Sequence, residues 1–111
     1  MYEEYITALY DVFQMLNKLA DQKKDQRLKV ICLCIFNYIK FIAKEHDVSI
    51  ANNRSANADN EINVAVIYNY MNAHSIEPYD FSNIRMEDVN VNDTKDLERF
   101  VLSHIYYLIR K

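Results

Sequence analysis

A chain of 111 residues with no glycine and a single proline has few ways to turn sharply. Glycine is the usual residue where the backbone needs a positive φ, and the favoured two-residue hairpins depend on it. A protein of this length ordinarily carries roughly eight. Their absence weighs against a fold of strands and hairpins. It also weighs against a P-loop or a dinucleotide fingerprint and rules out the nucleophile elbow of a serine hydrolase. The expectation is an all-α chain whose helices stop at Asn-rich and Pro-containing segments, because the Gly caps that end many helices are missing.

Apolar spacing then places the helices. Tyr2, Tyr5, Leu9, Val12, Leu16 and Leu19 recur at intervals of three and four, with Ile6, Phe13 and Ala20 widening the stripe. This predicts a helix over about 2–22 with one buried face. A second helix is predicted over about 25–45. Leu28, Ile31, Ile35, Tyr38 and Ile42 mark one face, and Val30, Leu33, Cys34, Phe36 and Phe41 cover most of the rest. A helix so apolar lies in the middle of a fold or in an interface. Residues 46–60 hold four Asn and read as a loop. Asp59 or Asn60 is a suitable N-cap for a third helix over about 61–75, which Pro78 closes. Residues 76–93 read as an irregular connection anchored by Tyr79, Phe81, Ile84, Met86, Val89 and Val91. Asp93 or Thr94 caps a last helix over about 95–110. Four such helices make a compact bundle, and the length fits one domain over 1–111.

Charge and composition narrow the partners. The net charge of −3 is too mild to imply nucleic acid. The start, Met-Tyr-Glu-Glu-Tyr, lacks the basic and apolar regions of a signal peptide. The longest apolar run, Val30 to Ala43, is too short to span a bilayer. An intracellular, cytoplasmic protein without membrane attachment is expected. Cys32 and Cys34 project about 200° apart on a helix, so they do not bridge one another and read as buried apolar residues. Phe, Tyr, Met, Ile, Asn and Lys total 50 residues, whereas Gly, Ala, Arg and Pro total 14. That usage follows AT-rich codons and points to an AT-rich genome, of the kind common among large DNA viruses, phages, archaeal viruses, mollicutes and some protists.

Candidate chemistry is sparse. His46, His74 and His104 form no metal-ligand spacing, and no cofactor is expected. The last helix contains Arg99-Phe-Val-Leu-Ser-His104-Ile-Tyr106. This spacing resembles the motif of HEPN domains, small helical bundles of which many are dimeric RNA-cleaving toxins. The resemblance implies that Arg99 and His104, with Tyr106 beside them, would face a scissile phosphate across a dimer cleft. It covers eight residues, and Phe100 stands where the family commonly has a polar residue. On a continuous helix, five steps also separate Arg99 and His104 by about 140°.

Two surfaces remain. Lys29, Lys40 and Lys44 fall within about 60° of each other on the second helix and are the residues that could meet phosphates. Leu102 and Tyr106 fall off the main apolar arc of the last helix, and Tyr is enriched at interfaces. Four helices offer limited core for so much apolar surface. The expectation is therefore a non-enzymatic interaction protein, a viral or mobile-element accessory factor. It would bind another protein or a second copy of itself through surplus faces of the second and last helices. The ribonuclease and a lysine-based nucleic-acid binder are the alternatives.

Overall fold

A computed structural model describes residues 2–48, 64–79, 87, 89–90 and 92–109. Among the described residues the protein is an all-α bundle of four helices: α1 (Tyr2–Lys23), α2 (Gln26–Glu45), α3 (Val64–Ala73) and α4 (Thr94–Ile109). The expected cap at Asp59 or Asn60 and the start of the third helix over 61–63 lie outside the described residues. So do 49–60, the anchors Phe81, Ile84, Met86 and Val91, and the terminal Arg110 and Lys111. Among the described residues no helix is long and apolar enough to cross a membrane.

The helices share one core. From α1 it takes Tyr5, Ile6, Ala8, Leu9, Val12, Leu16 and Ala20, which is the stripe that the 3–4 spacing marks. From α2 it takes nine residues on a broad arc, Leu28 through Ala43. Both Cys32 and Cys34 are buried although they project in different directions, because the arc is wide enough to hold both. α3 contributes Ile67 and Met71, and α4 contributes Leu97, Phe100, Val101, Leu102 and Ile105. Each fully buried aliphatic side chain contributes roughly 1.5–3 kcal/mol of transfer free energy. α1 and α2 form an antiparallel hairpin, since Tyr5 meets Tyr38 at one end and Asn17 meets Lys29 at the other.

The helix ends correct the expectation drawn from the missing glycine. α1, α2 and α3 all stop in the left-handed cap that glycine normally supplies. Lys24, Asp47 and Ser75 take that position, with φ of 53°, 53° and 55°. In each case the following residue donates its N–H five residues back: Asp25 to Ala20, Val48 to Ala43 and Ile76 to Met71. The left-handed residue itself donates three back, to Asp21, Lys44 and Asn72. Val48 and Ile76 then fold onto the core, the apolar contact that accompanies this motif. α3 thus ends at Ala73 through Ser75, not at Ser75 through Pro78.

The α1–α2 junction packs two functions into two residues. The Asp25 N–H closes α1, while its Oδ1 accepts from the Leu28 N–H at 3.0 Å and caps α2. At the other end of the chain, Asp93 is the N-cap of α4, its Oδ1 accepting from the Lys95 N–H at 3.0 Å.

A non-glycine residue in the left-handed region costs roughly 1–2 kcal/mol, and glycine regains part of this by losing more chain entropy on folding. Lys24 is exposed, so its side chain contributes little there. Lys24→Gly should stabilise the protein by about 0.5–1 kcal/mol in urea unfolding, and Lys24→Val should destabilise it. Asp47→Gly should gain less, because Asp tolerates this conformation.

Candidate functional site

The interior holds a polar cluster that ties all four helices together. The Tyr5 and Tyr38 hydroxyls are 2.7 Å apart. Tyr38 donates to Glu98 Oε2 at 2.8 Å, and Tyr70 donates to the same oxygen at 3.1 Å. Tyr5 and Tyr38 are fully buried core residues. Around the hydroxyls the rings interlock. Tyr5 stacks on Tyr70 at 3.9 Å, Tyr38 meets Tyr5 edge-on, and Tyr2 meets Tyr70 edge-on while stacking on His46 at 3.5 Å. Among the described residues no buried side-chain polar atom lacks a partner. Burial pushes the Tyr5, Tyr38 and Tyr70 phenols above their ordinary values, and the nearby Glu98 carboxylate adds to the rise in each. Three of the nine tyrosines therefore point inward: Tyr5 and Tyr38 stand on the apolar stripes that the spacing marks, and Tyr70 joins them from α3 through Glu98. Glu98 had no sequence signal beyond a position near the start of a helix.

The last helix resolves the Arg–His spacing. α4 runs unbroken from Thr94 to Ile109, so Arg99 and His104 remain about 140° apart around its axis. Each is engaged separately. Arg99 Nε donates to the Glu77 carbonyl at 2.9 Å, and its guanidinium lies 4.1 Å over the Tyr79 ring. The buried Ser103 hydroxyl donates to the Arg99 carbonyl and accepts the Tyr79 N–H at 2.9 Å. Together they clamp the 76–79 segment along α4. His104 is half-buried, with Nδ1 3.0 Å from the Phe100 carbonyl. Burial holds its imidazole below the ordinary value, and the Arg27 charge acts in the same direction. The structure does not bring the two residues together.

A cleft of about 530 Å³ opens beside the clamp, lined by His74 to Glu77, Lys95, Glu98 and Arg99. Its charges are balanced: two cations face two carboxylates. Among the described residues there is no group of three or more His, Cys, Asp or Glu able to hold a metal.

The other expected site residues divide. Leu102 is fully buried and is a core residue rather than an interface residue. It lies one turn beyond Glu98, whose carboxylate meets tyrosines of both α2 and α3, so the buried arc of α4 is wider than the spacing marks. Tyr106 is half-buried, packing edge-on against Tyr68. Lys29 is held by its own neighbours, 2.6 Å from Asp21 and donating to Asn17 at 2.8 Å, so its charge is matched within the hairpin. Lys40 and Lys44 are exposed, and the Lys40 ammonium sits 5.2 Å over the Phe36 ring.

What α2 leaves to solvent is a single outward strip. Val30, Leu33 and Phe41 are 43%, 62% and 41% exposed, and they share that strip with exposed Asn37, Lys40 and Lys44. On the helix wheel the strip has Lys44 and Asn37 at its centre and Lys40 and Lys29 along one edge. Phe41 lies toward the other edge, with Glu45 beyond it, and the whole spans about 160°. Sequence spacing had marked the lysines of this face. The exposed apolar side chains among them become visible only once the core is assigned. No protein-family model, curated protein or solved structure matches the chain.

Two outcomes test the tyrosine cluster. A phenol that keeps its proton in the fold above the ordinary value of 10 stabilises the protein fully below that pH. Above it the unfolded chain releases protons that the folded chain retains. Stability should therefore fall as pH rises past 10, by about 1.4 kcal/mol per pH unit for each buried phenol. Tyrosinate absorbance should show Tyr5 and Tyr38 titrating only on unfolding. Tyr38→Phe should cost about 1–3 kcal/mol, because it leaves the Tyr5 hydroxyl buried without its partner. Adding Tyr5→Phe should cost little more, and the shortfall from additivity measures the coupling.

Proposed function

We propose that this protein is a small non-enzymatic interaction factor that docks another protein against the outward face of α2. The observation that carries this reading is the strip of Val30, Leu33 and Phe41, three of the six large apolar side chains exposed among the described residues, gathered on one helix face and including the most exposed of them, Leu33. Leu33, 62% exposed, stands one turn from Val30, and Phe41 lies about two turns further along the same face; large apolar side chains gathered on one exposed face mark contact sites. The biological setting follows from residue usage: the AT-rich codon signature supports a viral or mobile-element accessory protein acting in the host cytoplasm. The clamp on Arg99 and the bond from His104 leave the ribonuclease reading without a supporting observation.

The test is capture from host-cell extract with three forms of the full chain: wild type, Leu33→Asp, and Met15→Asp as a control at an exposed apolar residue on α1. Both substitutions are at exposed positions and should leave the circular dichroism spectrum and thermal midpoint near those of the wild type. A partner held by wild type and Met15→Asp but lost by Leu33→Asp supports the α2 face. Equal capture by all three forms, or none by any, overturns it.

A further inference from the structure

Resting on that reading of the α2 face, we infer that its partner is a four-turn amphipathic helix with acidic residues along one edge of its apolar stripe. The argument begins with length. The strip runs from Val30 to Lys44, about 21 Å along the axis, which matches a helix of about 15 residues lying alongside α2. Helix-in-groove recognition uses anchors at intervals of three, four and seven, and Val30, Leu33, Asn37 and Phe41 present that spacing.

Charge then chooses the occupant. Of the exposed cations, Lys40 lies along one edge of the strip and Lys44 at its centre, whereas Arg27 and Glu45 stand beyond the opposite edge, one at each end of the helix. Lys29, on the same edge as Lys40, is already matched by Asp21. A partner with carboxylates along the Lys40 edge gains two attractive contacts, and one with cations there loses them. A second copy of this chain fits poorly. In a two-fold contact between parallel helices, Lys44 meets Lys44. In an antiparallel contact the basic edge meets the basic edge, because a two-fold axis brings like flanks together. Phosphates fit poorly as well, since Leu33 stands between Lys40 and Lys44 on the wheel and Val30 and Phe41 occupy the ground toward the far edge.

The probes are two synthetic 15-residue helix-forming peptides. Both carry Leu at the anchor spacing; one has Glu along a single edge and the other has Lys at those positions. Binding to the full-length protein is read by fluorescence anisotropy at low and high salt. The Glu peptide should bind about tenfold more tightly than the Lys peptide, as expected for two exposed pairs changed from attraction to repulsion. Its affinity should fall with added salt. Leu33→Asp should abolish binding, and the Lys40→Glu, Lys44→Glu double variant should reverse the preference. Equal affinity for both peptides, no binding of either, tighter binding to anionic phosphatidylserine vesicles, or a concentration-dependent dimer that hides Leu33 would each overturn the inference. If host-partner capture is lost with Leu33→Asp but unchanged in the double lysine variant, the α2 docking face stands and the acidic partner does not.

Discussion

Three phenols and one carboxylate, each from a different helix, meet at a single point, and the bundle is arranged around that meeting. Tyr5, Tyr38, Tyr70 and Glu98 come from α1, α2, α3 and α4, and the chain of contacts runs through 2.7, 2.8 and 3.1 Å. Apolar packing alone permits helices to slide or rotate at modest cost, since methyl groups have no directional preference. Buried hydroxyls have such a preference. A helix that slipped by one turn would strand at least one of them, at a cost of about 1–3 kcal/mol. The polar cluster therefore sets register, while the aliphatic core around it supplies most of the favourable free energy. The same cluster fixes the surrounding rings: Tyr70 stacks on Tyr5, and Tyr2 stacks on His46 at the end of α2.

The helices and their core faces were legible because a 3.6-residue period is written directly into side-chain type. α1, α2 and α4 begin and end within a residue or so of their expected bounds, and Asp93 caps α4 as its chemistry indicates. Less was legible where a residue's role depends on what lies across from it. Leu102 sits off the apolar arc of α4, and a wheel with one buried face sends it to the surface. In the fold α4 packs against both α2 and α3, with Glu98, one turn before Leu102, bonded to a tyrosine from each, and Leu102 is core. The spacing placed Tyr5 and Tyr38 on buried faces, but the bonds their hydroxyls make to each other and to Glu98 were hidden, because they depend on which residues lie across the bundle.

The missing glycine acts differently from what composition alone implies. The chain keeps the glycine-type helix stop and places Lys24, Asp47 and Ser75 in it. Each stop is held by two backbone hydrogen bonds, and two of the three also seat an apolar side chain, Val48 or Ile76, on the core. Those contacts offset a backbone penalty of roughly 1–2 kcal/mol per site. The absence of glycine thus constrains the identity of the capping residue rather than the geometry of the cap.

The candidate function follows from the position of α2. Like α3 it packs against both α1 and α4, but it does so more extensively, and its buried arc is wide enough to take in both cysteines. A helix in that position has a limited arc left for solvent, and a soluble bundle would ordinarily fill that arc with charge. Here Val30, Leu33 and Phe41 keep roughly two fifths or more of their surface in that arc. Lys40 and Lys44 beside them keep the strip wetted in the free protein while giving it a sign. An apolar strip left at the surface with charge of one kind along an edge has the makings of a recognition surface, with the apolar residues supplying affinity and the lysines selecting the partner.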